Sequence, residues 1–327
     1  MKVLVTGARG FIGSHLVEAL LKKNYAVRCL LRKKKGAQTW LQDLEVEIAE
    51  GDLTRPESLL GAVKDMDFVF HLAGSTKAYS KWEFDKSNFE GTKNLLEATI
   101  KSNPGIKRFV HVSSLAVGGP CQSGKPLTEN QPPRPVSNYG RSKLKAENAA
   151  LEYAKEIPVV ITRPPAVYGP RDKDMFELFK YARRGWRLEI IGGTRQLSLI
   201  YVKDLVNGII LAAEKSEAAG QVFYLCNDEA YSAKNVGDLL AGSFGKKAGA
   251  LRIPLFLVFL WSLGGDAYCK LFRHSSLFSL DKYREIKQKN WVCDNSKAKK
   301  ELGFSAEFSL EKGFKETADW YLTNGWL

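Results

Sequence analysis

Tyr139 and Lys143 stand four positions apart, in Tyr139-Gly140-Arg141-Ser142-Lys143. On a helix, positions i and i+4 share a face, so a phenol and an ammonium would lie side by side. A free tyrosine titrates near ~10, and a neighbouring cation favours its phenolate. Such a pair can exchange a proton with a substrate hydroxyl near neutral pH. Just upstream, Phe109-Val110-His111-Val112-Ser113-Ser114 reads as a strand ending in two hydroxyls. The carboxyl end of a parallel strand faces the ligand crevice, where a hydroxyl can hydrogen-bond the reacting oxygen. Ser114 is assigned that role, with Ser113 as the alternative. The three groups expected at the chemistry are therefore Ser114, Tyr139 and Lys143.

A second motif stands at the start of the chain. Val3-Leu4-Val5-Thr6 runs into Gly7-Ala8-Arg9-Gly10-Phe11-Ile12-Gly13, and a helical pattern follows. Gly7 permits a tight turn, Gly10 lets a pyrophosphate approach the backbone, and Gly13 lets helix pack on strand. Phosphate then sits at the positive helix N-terminus, beside Arg9, Phe11 and Ile12. In this strand–turn–helix setting the motif predicts a dinucleotide site. The second strand should end at Leu31, and Arg32-Lys33-Lys34-Lys35 follows it. No acidic residue stands there to hold the ribose 2′-hydroxyl of NAD(H). Guanidinium and ammonium groups suit a 2′-phosphate, and Arg9 adds another, so Arg32 favours NADP(H). NAD(H) stays open if the basic run is only a solvated turn.

These groups need a scaffold. Short apolar runs at Lys2–Thr6, Tyr25–Leu31, Val46–Ala49, Phe68–Leu72, Arg108–Ser113 and Pro158–Thr162 read as strands. Helical spacing at Ser14–Lys23, Ser58–Val63, Phe89–Lys101 and Asn138–Glu156 alternates with them. Strands buried on both faces and joined by helices predict an α/β fold, a Rossmann-type doubly wound parallel sheet. After Arg163 the rhythm breaks at Pro164-Pro165 and Gly169-Pro170. Helices are expected at Met175–Arg184 and Val202–Glu214, and strands at Leu188–Ile191 and Gln221–Cys226. The tail from Ser232 reads as mostly helical. The expected division is a dinucleotide-binding domain over 1–165, to which 200–228 returns. A smaller, mostly helical substrate lobe takes 166–199 and 229–327.

Composition narrows the class. The 327 residues carry an ordinary 44% of hydrophobic residues and a net charge of +13. The charge reads either as a solvated surface or as attraction for phosphate-bearing ligands or anionic lipid. The basic residues are scattered, so no nucleic-acid partner is expected. Five cysteines without a CxxC pair suggest a reduced, cytoplasmic protein without disulfides. No signal peptide is read at the start, and no run reaches the roughly 18–20 apolar residues that span a bilayer. Four histidines and dispersed cysteines show no metal-ligand spacing, so no metal is expected. His71 and His111, on strands, read as core residues.

In these motifs and their order the chain resembles the extended branch of the short-chain dehydrogenase/reductase superfamily. That branch holds the NAD(P)-dependent epimerase/dehydratases and enzymes like 3β-hydroxysteroid dehydrogenases and dihydroflavonol reductases. The resemblance rests on Thr6–Gly13, Gly51–Leu53, Phe70–Gly74, Asn88–Ala98, His111–Ser114, Tyr139–Lys143, Arg163–Pro170 and Tyr201–Leu205. It implies an NAD(P)(H)-dependent oxidoreductase that moves a hydride at a carbinol or ketone carbon, with Tyr139 as acid/base. It implies that Asp52 and Leu53 flank the adenine and that Leu72, Ala73 and Gly74 line the ribose and phosphate path. Asn88 should lie toward the nicotinamide, Pro164 and Val167 should cradle it, and Lys143 should hold its ribose. A homodimer through the helix bearing Tyr139 and its neighbour is implied as well. Catalytically silent relatives usually lose the tyrosine or the lysine, and both are kept here.

The same resemblance bears on the substrate, expected to be a small molecule. Nucleotide-sugar epimerases of the branch usually carry an Asn where this chain has Ala166, and an Arg–Asp pair where it has Leu197 and Ser198. Dehydratases usually carry an acidic pair where Leu115 and Ala116 stand. A nucleotide-sugar epimerase or dehydratase remains the alternative to an oxidoreductase of apolar or lipid-like substrates. Ile253–Trp261 is apolar and aromatic-rich; it reads as a pocket lining, a membrane contact through 253–263, or an ordinary buried helix.

Overall fold

The structure, a computed structural model, describes residues 1–32, 40–121, 125–193, 195–272 and 279–327, with backbone alone for 270–272. Lys33, Lys34 and Lys35 of the basic run lie outside the described residues.

Seven parallel strands form the main sheet. In chain order they are β1 (Lys2–Thr6), β2 (Ala26–Leu31), β3 (Glu47–Glu50), β4 (Phe68–His71), β5 (Arg108–Val112), β6 (Val159–Arg163) and, far downstream, Val222–Tyr224. Helices fill the crossovers: α1 (Phe11–Lys22), α2 (Leu60–Val63), α3 (Lys81–Phe84), α4 (Gly91–Ser102) and α5 (Asn138–Glu152). Two short strands, β7 (Ala166–Tyr168) and β8 (Trp186–Ile191), flank α6 (Phe176–Arg183). Then come β9 (Gln196–Leu197), β10 (Leu199–Tyr201), α7 (Val202–Glu214) and β11, the seventh sheet strand. The remainder runs β12 (Tyr231–Ser232), α8 (Ala233–Gly242), β13 (Gly249–Pro254), α9 (Leu255–Phe272), α10 (Leu280–Ile286), β14 (Asn290–Trp291), α11 (Ser296–Leu302) and α12 (Leu310–Thr323).

Across the sheet the order is β3-β2-β1-β4-β5-β6-β11. The order reverses between β1 and β4, which opens a crevice outside the carboxyl ends of the strands. Alternation along each strand splits the core into two layers. Leu4, Val69, Phe109, Val159 and Ile161 pack with Leu95, Leu96 and Ala150 of α4 and α5. Val3, Val5, Phe70, Val110 and Val160 pack with Leu16, Leu20, Leu205 and Ile209 of α1 and α7. The expected doubly wound α/β sheet is the observed one.

Beyond β6 the chain builds small sheets: β7 with β10, β12-β9-β14, and β8 with β13. The tail from Ser232 is mostly helical, but strands also occur in it. Gly249–Pro254 has little apolar alternation; it is a strand because six residues pair in parallel with Trp186–Ile191. Ile253 and Pro254 therefore end a strand, and only the rest of the apolar run belongs to a helix. That helix, α9, buries Val258, Ser262 and Cys269 but exposes Phe256, Leu260 and Leu263, so it is not an ordinary buried helix. Among the described residues, no helix is long and apolar enough to cross a membrane. Among the described residues no cysteine forms a disulfide, and all five are buried.

Candidate active site

The glycine turn lies at the switch point. Gly7 has φ +73°, and a Cβ there would meet Ala73 N at 2.8 Å. At Gly13 a Cβ would lie 2.1 Å from Gly7 O, so only glycine lets α1 close on the turn. Gly10 is the N-cap of α1, no side chain caps the helix, and its first turn holds no acidic residue. The N–H groups around Phe11 and Ile12 are thus free to receive an anion. Arg9 is exposed beside them, as is Arg32 at the end of β2. Next to Arg32, Asp52 Oδ1 accepts from Thr54 N and Thr54 Oγ1, both at 2.9 Å. Leu53 is held over α4 by Asn94, whose Nδ2 donates to Leu53 O at 2.7 Å. Leu72, Ala73 and the exposed Gly74 leave β4 on the opposite wall. The fit to a dinucleotide is therefore one of free backbone donors, close backbone approach and flanking cations.

A buried relay fixes that wall, and sequence reasoning passed over it. Ala73 N donates to Thr6 Oγ1 at 3.1 Å, and the Thr6 hydroxyl donates to His71 Nδ1 at 2.7 Å. His71 Nε2 donates to Thr92 Oγ1 at 2.9 Å, and Thr92 donates to Asn88 O at 2.6 Å. Burial, and then Lys143, push the His71 pKa down to about 3, so the ring stays neutral and the direction of the chain holds. His71 is in the core, yet it joins the glycine strand, the Ala73 wall and Asn88. Asn88 lies in a π-turn over Asp85–Glu90 that the expected helix at Phe89–Lys101 did not foresee. Its Oδ1 accepts from Ser75 N at 2.7 Å, and its Nδ2 donates to Ser75 O and to Ser142 Oγ at 3.0 and 2.9 Å. Asn88 thereby ties the crevice wall to the helix of Tyr139.

Ser114, Tyr139 and Lys143 come together at the end of β5. The Ser114 hydroxyl accepts from Ala116 N at 3.1 Å and hydrogen-bonds to the Tyr139 phenol. The Ser113 hydroxyl is buried and has no hydrogen-bond partner among the described residues. Lys143, buried one turn further along α5, donates to Val112 O at 2.8 Å. Burial pushes the Tyr139 phenol up to about 12, and the Ser114 hydrogen bond only partly offsets this. Burial likewise lowers Lys143 to about 8. The expectation that Lys143 lowers the phenol pKa is not met in the chain alone, because its ammonium is turned to the β5 carbonyl. The resting pair is a protonated phenol beside a lysine poised near neutrality. Pro164 borders the same edge, its carbonyl accepting from Leu115 N at 2.8 Å, and Val167 follows on β7.

The N-terminus of α5 is clamped from the far end of the chain. Asp281 of α10 accepts from Asn138 N at 2.6 Å and from Tyr139 N at 3.1 Å. Ser137, the N-cap, accepts from Gly140 N at 3.0 Å and donates to Glu285 Oε1 at 2.7 Å. No local signal in the sequence marks these two carboxylates. Deeper in α5, Glu147 holds Arg163 through Nε and Nη2, at 3.0 and 2.6 Å, with both side chains buried.

A doubly wound sheet with a glycine turn and a YxxxK helix on its carboxyl edge defines an extended short-chain dehydrogenase/reductase. Residues 3–226 match the NAD dependent epimerase/dehydratase family, and the chain belongs to that family; it is an NAD(P)-dependent enzyme. A ceramide reductase of Caulobacter vibrioides is 31% identical over 99% of this chain and 96% of its own length. A UDP-glucose 4-epimerase of Vibrio cholerae is 30% identical over 98% and 95%. The UDP-glucuronic acid 4-epimerase of Bacillus cereus, solved with UDP-glucuronic acid and NAD, superposes with a TM-score of 0.79 at 27% identity, covering 99% of this chain and all of its own.

Proposed function

We propose that this enzyme is an NADPH-dependent reductase that converts a ketone of an apolar or lipid-like substrate to the alcohol. The observation that carries the reading is the Ser114–Tyr139–Lys143 cluster in its resting state. The phenol is protonated at neutral pH and already hydrogen-bonded to Ser114, which suits a group that gives a proton to a carbonyl oxygen. Ser114 orients that oxygen and steadies its developing charge. Lys143 stabilises the phenolate left behind and engages the cofactor's ribose. The bound dinucleotide supplies the hydride. Arg32 and Arg9 favour the 2′-phosphate of NADP(H) over NAD(H).

The likeness to a ceramide reductase supports an apolar substrate. The nucleotide-sugar reading has support in the epimerase relatives, but the residues facing it argue otherwise. Ser198 is buried and occupied, its hydroxyl accepting from Cys293 N at 3.1 Å. Leu197 packs against the core, and Ala166 offers no polar group. The test is consumption of NADPH and NADH against long-chain ketones, with epimer formation from UDP-sugars followed separately by chromatography because epimerisation consumes no cofactor. Turnover of ketones with NADPH, lost in Tyr139→Phe, is expected. Turnover of UDP-sugars alone, or an undiminished Tyr139→Phe enzyme, refutes the proposal.

A further inference from the structure

The last third of the chain carries an exposed apolar surface. On α9, Phe256, Leu260 and Leu263 are 61%, 53% and 40% exposed, and Ala267 continues the row. Steps of four, three and four put these residues on one stripe, opposite the buried Val258, Ser262 and Cys269. Ile191 extends the patch at 55% exposure; it ends β8 against Pro254, where α9 begins. From Leu255 to Gly265 there is no charged residue, an apolar run about half as long as a membrane span. A contiguous apolar stripe of this kind on a folded surface marks a contact site.

The setting of the stripe selects the partner. Lys246 and Lys247 are exposed on the approach to the strand that precedes it, and Arg252, 70% exposed, pairs with Glu189 at 3.3 Å. Between Phe244 and Asn290 the sequence has nine Lys or Arg and three Asp or Glu. An isologous contact between two copies would set these like charges against each other, whereas anionic headgroups neutralise them. A helix apolar on one side and framed by basic residues is the form that lies in a bilayer interface.

We infer that α9 docks this enzyme on an anionic membrane surface, with Phe256, Leu260 and Leu263 entering the headgroup region. The docked helix is close to the chemistry in structural terms. Phe259 packs on Tyr283 of α10, ring centroids 5.2 Å apart, and α10 supplies the carboxylates that hold the helix of Tyr139. The inference stands independently of the substrate reading, because binding is measured without turnover.

The test is cosedimentation of the full-length protein with vesicles of equal parts phosphatidylcholine and phosphatidylglycerol, or of phosphatidylcholine alone. The wild type should sediment with the anionic vesicles and release as salt is raised. F256S/L260S/L263S, all at exposed positions, should bind about tenfold or more weakly with unchanged thermal unfolding. Lys246→Glu with Lys247→Glu should weaken binding to the anionic vesicles without removing the apolar stripe. Failure of the wild type to bind, or equal binding by the triple variant, overturns the inference. So does a wild-type dimer in free solution that the triple variant converts to monomer.

Discussion

Replacing Asp281 with alanine removes two hydrogen bonds at once from the first turn of the helix that carries Tyr139. Asp281 is 14% exposed, and it accepts from Asn138 N and Tyr139 N with one oxygen each. A hydrogen bond to a charged acceptor contributes about 1.5–3 kcal/mol. The freed N–H groups lie at a helix end where water can partly replace the lost acceptor, so the two together should cost about 2–3 kcal/mol. For a chain of this size that lowers the melting temperature by roughly 3–4 °C. Asp281→Asn keeps one acceptor and should lose roughly half as much. The catalytic effect should exceed the thermal one. If the turn shifts, the phenol leaves its place beside Ser114, and a displacement of about 1 Å can cost on the order of a hundredfold in rate. Dinucleotide affinity should hold, because the Gly7–Gly13 turn belongs to another strand. The assays are differential scanning calorimetry, turnover, and cofactor titration by fluorescence. A variant that melts within about 1 °C of wild type and keeps kcat within about twofold would refute the reasoning.

The buried pair of Arg163 and Glu147 offers a second check. Glu147→Ala leaves a guanidinium in the core with Tyr224 as its remaining side-chain partner among the described residues, at 3.3 Å, and should cost about 3–5 kcal/mol in urea unfolding. Gly13→Ala forces a Cβ against Gly7 O and should weaken dinucleotide binding by about tenfold or more, read by titration. NADPH-driven reduction should be level below pH 8 and fall as Lys143 loses its proton near about 8, the phenol being still protonated there. Lys143→Arg should remove that falling limb while keeping measurable turnover. Lys143 also sets a stability slope. Unfolded it titrates at its ordinary 10.5 and folded at about 8, so the unfolded chain binds more protons between these values. Stability contributed at this site should therefore rise from pH 8 to 10.5, and Lys143→Met should abolish that rise in chemical unfolding.

The half of the site that holds a dinucleotide is local, and for that reason its sequence is readable. A strand, a glycine turn and a helix occupy Lys2–Lys22 with no distant residue needed to interpret them. Ser114, Tyr139 and Lys143 could be paired because the carboxyl edge of a parallel sheet is one place, and alternation already implied that sheet. What escaped depends on contacts made across the chain. His71 looks like a core residue, and is one, but its two ring nitrogens are used by Thr6 and Thr92, 65 and 21 positions away. Asn88 acts through a π-turn, for which helical periodicity gives no sign. The resting state of Lys143 depends on a backbone carbonyl 31 positions upstream, and carbonyls carry no sequence signal.

Asp281 is the sharpest case, because it acts 142 and 143 positions from the two amides it caps. The family match ends at residue 226, and both α9 and α10 lie beyond it. The part covered by the family model therefore carries the glycine turn, Ser114, Tyr139 and Lys143. The part beyond the family model holds the helix that clamps the first turn of α5 and the helix that exposes an apolar stripe. A change of substrate or of surface can then occur in the last third of the chain while Ser114, Tyr139 and Lys143 keep their places. It can also reach Tyr139, because Asp281 of α10 is hydrogen-bonded to the backbone of Asn138 and Tyr139. Relatives that share the first 226 residues should thus differ more in substrate and rate than in cofactor geometry.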